Sequence, residues 1–222
     1  MTGAQDERSE SSSRHYRARV RNRQKLGLAN RRALVVAATP DDFGRATTAR
    51  VVITLKANGW PVDIIDLYED SFVAAMNEAE RHAYHGEQPI IDPALERHVS
   101  LVRSASMLIF VYPTTWVGLP AILKGWFERV LVPGVAFRIT DRGIRPELSH
   151  VRRVVGISHH DASRARTKVM NDGARRILMR TIRLNASWRC RRTYLGLYSF
   201  VGSQAQTQRR FLDKVERKLA RL

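Results

Sequence analysis

Met107-Leu108-Ile109-Phe110-Val111-Tyr112 runs without a polar break into Pro113-Thr114-Thr115-Trp116-Val117-Gly118-Leu119-Pro120. Six consecutive apolar side chains suit a parallel strand covered on both faces, since a strand with one wet face alternates instead. Ala33–Ala38 (ALVVAA) is a second run of this kind, and Val62–Leu67, Val151–Ser158 and Arg192–Tyr198 complete five strands. Helical stretches separate them. Phe43–Asn58 ends at Gly59, Asp92 caps a helix to about Arg103, and Leu119–Leu131 carries Pro120 in its tolerant first turn. Ala165–Arg183 and the amphipathic Gln204–Leu222 follow. This alternation predicts an α/β fold: a doubly wound, five-stranded parallel sheet with helices on both faces. Such sheets bind ligands beyond the carboxyl ends of their strands. Three segments are therefore candidates: Thr39–Arg45, Pro113–Gly118 and Ser158–Arg164.

The bulk properties narrow the class. A chain of 222 residues favours one domain plus an appendage. Residues 31–222 carry the periodic sequence, whereas 1–30 are rich in Ser and Arg and read as a disordered basic arm. No apolar run approaches the ~20 residues of a membrane span, and nothing in the arm resembles a secretory signal. Cys190 is the one cysteine, which excludes an internal disulfide or a CxxC zinc site and points to a reducing, cytoplasmic setting. The net charge is +17, with twelve basic and two acidic residues between 152 and 192. That balance attracts polyanions, with weak contact through the arm as one outcome. No nucleic-acid motif accompanies it. GxGxxG, GxxxxGK[ST], GxSxG and HExxH are all absent, which sets aside Rossmann dinucleotide enzymes, P-loop NTPases, α/β-hydrolases and zincins.

The Pro113–Gly118 turn holds backbone donors, two hydroxyls and one indole. Such a loop suits a flat heteroaromatic ring, its N–H groups meeting the polar edge and Trp116 lying against the face or side. Alternatively Trp116 plugs the core beneath the crossover. For the neighbouring Glu128–Arg129 the simplest reading is a surface pair, and for Trp126 and Phe127 it is core or subunit packing.

Phe110 through Val130, with Pro120-Ala121-Ile122-Leu123-Lys124-Gly125-Trp126-Phe127-Glu128-Arg129-Val130 at its centre, resembles the signature of the flavodoxin-like NAD(P)H:quinone oxidoreductases. Asp66-Leu67-Tyr68 and Pro133-Gly134-Val135-Ala136-Phe137 are similar to that family as well. The resemblance covers about 33–220. It implies a flavodoxin-like fold, bound FMN or FAD, NAD(P)H as electron donor, a quinone-like acceptor and a homodimer. The apolar Leu119–Leu131 helix is a candidate surface for that pairing. Pro113, Thr114, Thr115, Trp116 and Val117 are then expected to hold the flavin ring, with Thr39, Phe43, Arg45 and Ser158 also facing the cofactor.

The chain departs from the family after the first strand. Where members carry His-Pro or His-Ser, this sequence reads Thr39-Pro40-Asp41-Asp42-Phe43-Gly44. Two carboxylates beside a phosphate are unfavourable; Asp42 is expected as a helix N-cap and Arg45 as the compensating charge. After the fourth strand, His159 and His160 are expected to point in different directions. One of them is then the catalytic group that stabilises charge on the reduced flavin, titrating near its ordinary pKa of ~6.5. Both can instead be exposed turn residues, with Asp161 capping the next helix. Arg164 and Arg166 are candidates for cofactor phosphates. Two other functions stay open: a flavin-binding regulatory protein similar to the ancillary subunits of potassium-efflux systems, and polyanion binding without catalysis.

Overall fold

A computed structural model describes residues 31–86 and 88–222; the 1–30 arm lies outside the described residues. The chain runs β1 (Ala33–Ala37), α1 (Asp42–Ala57), β2 (Val62–Asp66), α2 (Glu78–Ala83), and a 3-10 turn (Pro93–Leu95) into α3 (Glu96–Ser104). β3 (Met107–Pro113), α4 (Ala121–Val130) and a hairpin of β4 (Phe137–Thr140) and β5 (Gly143–Pro146) come next. β6 (Arg153–His159) leads to α5 (Arg164–Val169), α6 (Gly173–Arg176), a π-helical segment (Ile177–Ile182) and α7 (Arg183–Asn185). β7 (Arg191–Leu197) and α8 (Ala205–Leu219) close the chain.

The five expected strands form one parallel sheet in the order β2-β1-β3-β6-β7. Alternate side chains of each strand feed opposite cores, as the two-residue strand period requires. Leu34, Val36, Leu108, Phe110 and Val154 join α3, α4 and the π-helical segment on one face. Ala33, Val35, Met107, Ile109 and Ile157 join α1 and α8 on the other. Both faces are thus covered, which explains why β1 and β3 read as unbroken apolar runs. The chain leaves β1 toward β2 and returns to place β3 on the opposite side, so the crevice opens beyond the carboxyl ends of β1 and β3.

Several expectations are corrected. The β4–β5 hairpin was not expected. The helix expected over 165–183 breaks at Asn171 and Asp172, whose φ values of 69° and 38° leave the helical region. The N-cap of α1 is Asp41, not Asp42, and that of α5 is Ser163, not Asp161. Glu128 pairs with Lys124, but Arg129 is no surface residue. Its guanidinium is 5% exposed and meets Glu80 and Asp92 at 2.7 and 2.8 Å, tying α4 to α2 and to the turn before α3. The apolar face of α4 is spent within the chain, with Leu123, Trp126 and Val130 fully buried and Trp126 Nε1 donating to His98 Nδ1 at 3.0 Å.

Gly125 lets α4 approach the 73–75 segment. A Cβ there would lie 2.1 Å from the Ala74 carbonyl oxygen, a backbone atom that cannot rotate away. Gly125→Ala is accordingly expected to lower stability by about 1–3 kcal/mol through overpacking, read as a lower urea midpoint. An unchanged midpoint would show that α4 can shift freely.

Candidate functional site

The loop after β3 is anchored to the end of β6. Thr114 donates both its N–H and its hydroxyl to the His159 carbonyl, at 2.9 and 3.2 Å. Thr115 and Gly118 then exchange backbone hydrogen bonds of 3.2 and 2.8 Å around a two-residue turn. Its central residues, Trp116 and Val117, have φ of 50° and 59°. A β-branched residue in the left-handed region is strained by about 1–3 kcal/mol, and such strain concentrates at functional sites. The indole of Trp116 is 97% exposed, which overturns the reading of Trp116 as a core plug. Among the described residues no carbonyl accepts from the N–H of Trp116 or Val117, while Ala174 N–H donates to the Val117 carbonyl at 3.3 Å.

The two histidines diverge, as expected from adjacent strand-end positions. His160 enters a cleft of about 360 Å³ with Thr114, Trp116, Val117, Arg166 and Met170. Its Nε2 lies 2.9 Å from both the Ser158 hydroxyl and the Tyr194 hydroxyl, which are 2.7 Å from each other. Its ring stacks on Tyr198 with centroids 4.5 Å apart. Tyr112 lies fully buried beside this group, and burial pushes its phenol well above the ordinary value. His159 turns the other way, toward Asp41 at 3.5 Å, against Phe200 and Phe43.

The expectation that one histidine titrates near 6.5 is corrected. Burial lowers both, and His160, with His159 beside it, drops to about 4. The imidazole of His160 is therefore neutral at pH 7. Between pH ~6.5 and ~4 the unfolded chain binds a proton that folded His160 refuses, so stability falls as pH drops through that window. An NMR titration of the imidazole C–H signals is expected to give one midpoint near 4; a midpoint above 6 would contradict the buried geometry.

The third segment is arranged differently from what an anion seat needs. A helix N-terminus beyond β1, at the switch point, is where a cofactor phosphate would find backbone N–H donors. Here Asp41 fills it. Its carboxylate accepts from Gly44 N–H at 2.8 Å and from the Thr39 hydroxyl at 2.7 Å. Burial raises the Asp41 pKa, but these two hydrogen bonds and the nearby His159 outweigh it and hold the group below its ordinary value. Thr39 is packed so tightly that a Cβ at position 44 would fall 1.7 Å from its Oγ1. Arg45 does not face this seat as a free cation, because it binds the Pro40 carbonyl and Asp42, each at 2.5 Å. Tested against a flavin, the Trp116 turn fits a flat ring with a polar edge. The Thr39–Gly44 loop does not fit a phosphate.

The structure thus brings Thr114, Trp116, Val117 and His160 together at one cleft, with Ser158 behind His160. Thr39, Phe43, Arg45 and His159 gather instead around or beside Asp41. Tyr194 on β7 and Tyr198 just past its end, missed from sequence, belong to the His160 group; their spacing of four residues at the end of the expected fifth strand was the available signal.

The model of a family described as having a flavodoxin-like fold matches residues 31–217. The chain belongs to the flavodoxin-like fold family. Among relatives, NAD(P)H dehydrogenase [quinone] 1 of Cavia porcellus is 34% identical over 126 residues, 49% of this chain and 46% of that protein. An uncharacterized NAD(P)H oxidoreductase of Haemophilus influenzae is 35% identical over 114 residues, 50% of this chain and 54% of that one. The flavodoxin-like chain thus spans about half the length of the curated relatives it matches. An FMN-dependent NADH-azoreductase from Bacillus anthracis, solved in complex with FMN, superposes with a TM-score of 0.68 at 15% identity. That match covers 86% of this chain and 98% of the other, and at this identity it speaks for the fold alone. The names of the sequence relatives agree with the resemblance carried by residues 110–130. Among the described residues no helix is long and apolar enough to cross a membrane.

Proposed function

We propose that this flavodoxin-like chain is a flavin-dependent NAD(P)H oxidoreductase that delivers electrons to a quinone or a similar small acceptor. The observation that carries the reading is the strained Trp116-Val117 turn at the strand ends, with an exposed indole and two uncommitted N–H groups. The quinone-reductase names of its relatives support it. A flavin supplies the redox centre; the protein's part is to bind, orient and shield it. In this reading Thr114, Trp116 and Val117 line the ring site. Neutral His160, fixed by Ser158 and Tyr194, offers a hydrogen bond rather than a charge, and His159 is a partner for Asp41 instead of a catalytic group.

The test is consumption of NADH or NADPH by the purified full chain with added FMN, FAD or riboflavin and p-benzoquinone as acceptor. Flavin-dependent consumption above the flavin-only blank is expected. Asp41 favours a second reading, that of a regulatory protein that takes up flavin without turnover, and flavin binding with no NAD(P)H consumption would select it. A homodimer and a cytoplasmic location are part of the proposal. Trp116 and Met170, both exposed at the cleft, supply apolar surface for a second copy to cover, and light scattering showing a stable monomer would remove that part.

A further inference from the structure

Outside the Trp116 cleft the molecule holds a larger one of about 1040 Å³, on the far side of α5 and against the edge strand β7. Arg164, Lys168, Arg175, Arg176, Arg180 and Arg192 line it, and Asp172 is the one carboxylate among the lining residues. Among the described residues no carboxylate lies within ion-pair distance of any of these six cations. By contrast, Arg32, Arg50, Arg97, Arg129 and Arg138 each have one. Six like charges around one concavity repel each other, and low-dielectric walls focus the resulting field on whatever enters.

Two further features mark the same walls. Asn171 and Asp172 are successive left-handed residues, and the wall continues into the six-residue π-helical segment Ile177–Ile182. π-helical turns are rare and recur at functional sites. The hydroxyl of Thr167, a residue 1% exposed that borders both clefts, has no hydrogen-bond partner among the described residues. Tyr194 and Tyr198 also line the cleft. Tyr194 carries the Arg175 guanidinium over its ring, 5.3 Å from the centroid, and both tyrosines reach the His160 group.

We infer that this cleft binds a multiply phosphorylated small molecule of nucleotide size, its phosphates held by the guanidinium groups of α5, α6 and the π-helical segment. Guanidinium forks match phosphate geometry in two parallel hydrogen bonds. The volume is that of a small-molecule site, and the tyrosines give a base or other ring an apolar wall. A concave cleft suits such a ligand better than duplex nucleic acid, which needs an open surface of about 1,000 Å² or more. The test is independent of the flavin reading: the cleft borders the Trp116 turn through α6 and Thr167, but binding is measured with no flavin present.

The experiment is calorimetric titration of the full chain with ADP, pyrophosphate and adenosine. The parent chain is compared with Arg176→Gln/Arg180→Gln and with Arg209→Gln/Arg210→Gln. All four arginines are exposed, so both double variants are expected to fold, and both remove the same charge. ADP and pyrophosphate are expected to bind and adenosine not to. The first double variant weakens ADP about tenfold or more, while the α8 pair leaves it unchanged. Absence of ADP binding to the parent chain would overturn the inference. Equal loss in both variants would overturn it as well, since the whole-protein field would then be the cause. So would adenosine binding as well as ADP, or a short DNA duplex that binds through the same arginines and resists displacement by ADP.

Discussion

Replacing Arg129 with Met is expected to cost about 3–5 kcal/mol of folding stability, the range for removing one partner from a buried ion pair. The guanidinium donates to Glu80 at 2.8 Å, to Asp92 at 2.8 Å and to the Val73 carbonyl at 2.5 Å. It also lies 5.3 Å from the centre of the Phe72 ring. Without it Glu80, which is 4% exposed, keeps a charge with no counterion. Methionine fills much of the volume, so the loss reports the charge rather than a cavity. Urea unfolding gives the difference, and Arg129→Met combined with Glu80→Gln is expected to recover part of it by removing the stranded carboxylate. A loss below about 1 kcal/mol would place the cluster among surface ion pairs in energetic terms and contradict its role in joining α4 to α2.

Asp41→Asn is expected to tighten FMN binding about tenfold or more while leaving riboflavin binding unchanged. Asn caps helices as well as Asp does, so α1 keeps its N-terminal hydrogen bond. What changes is charge. A carboxylate some 4 Å from a phosphate costs up to about 4 kcal/mol per pair of unit charges at a near-surface dielectric, and less where solvent screens it. Acid does not substitute for the mutation, because the Asp41 pKa is held below its ordinary value and the group stays ionised through the physiological range. Fluorescence titrations with the two flavins separate the cases. Equal affinities for FMN and riboflavin in both proteins would mean that the flavin phosphate does not approach this seat.

The sheet was legible because β1 and β3 are covered on both faces, which leaves runs such as ALVVAA and MLIFVY with no polar interruption. The hairpin was not legible for the opposite reason. β4 and β5 have no fully buried residue, so no hydrophobic pattern marks them. Between 165 and 183 the helical period continues through Asn171-Asp172-Gly173, and only the left-handed turn at that turn-forming triplet breaks it. Arg129 looked like a surface partner of Glu128 because they adjoin in sequence. Neighbours on a helix face different directions, however, and Arg129 points into the chain. At the site, the position of the Pro113–Gly118 loop followed from the strand order. The role of Asp41 did not, since the cap was expected at Asp42 and only the fold shows that its neighbour turns back to Gly44.

The most direct measurement is a titration of riboflavin into the 222-residue chain, wild type against Trp116→Ala, following quenching of flavin fluorescence. Saturable quenching by the wild type is expected, with binding at least about tenfold weaker in the variant, consistent with the value of one aromatic contact made in a largely open site. No quenching by the wild type, or identical curves for the two proteins, would contradict a flavin seated on the Trp116 turn.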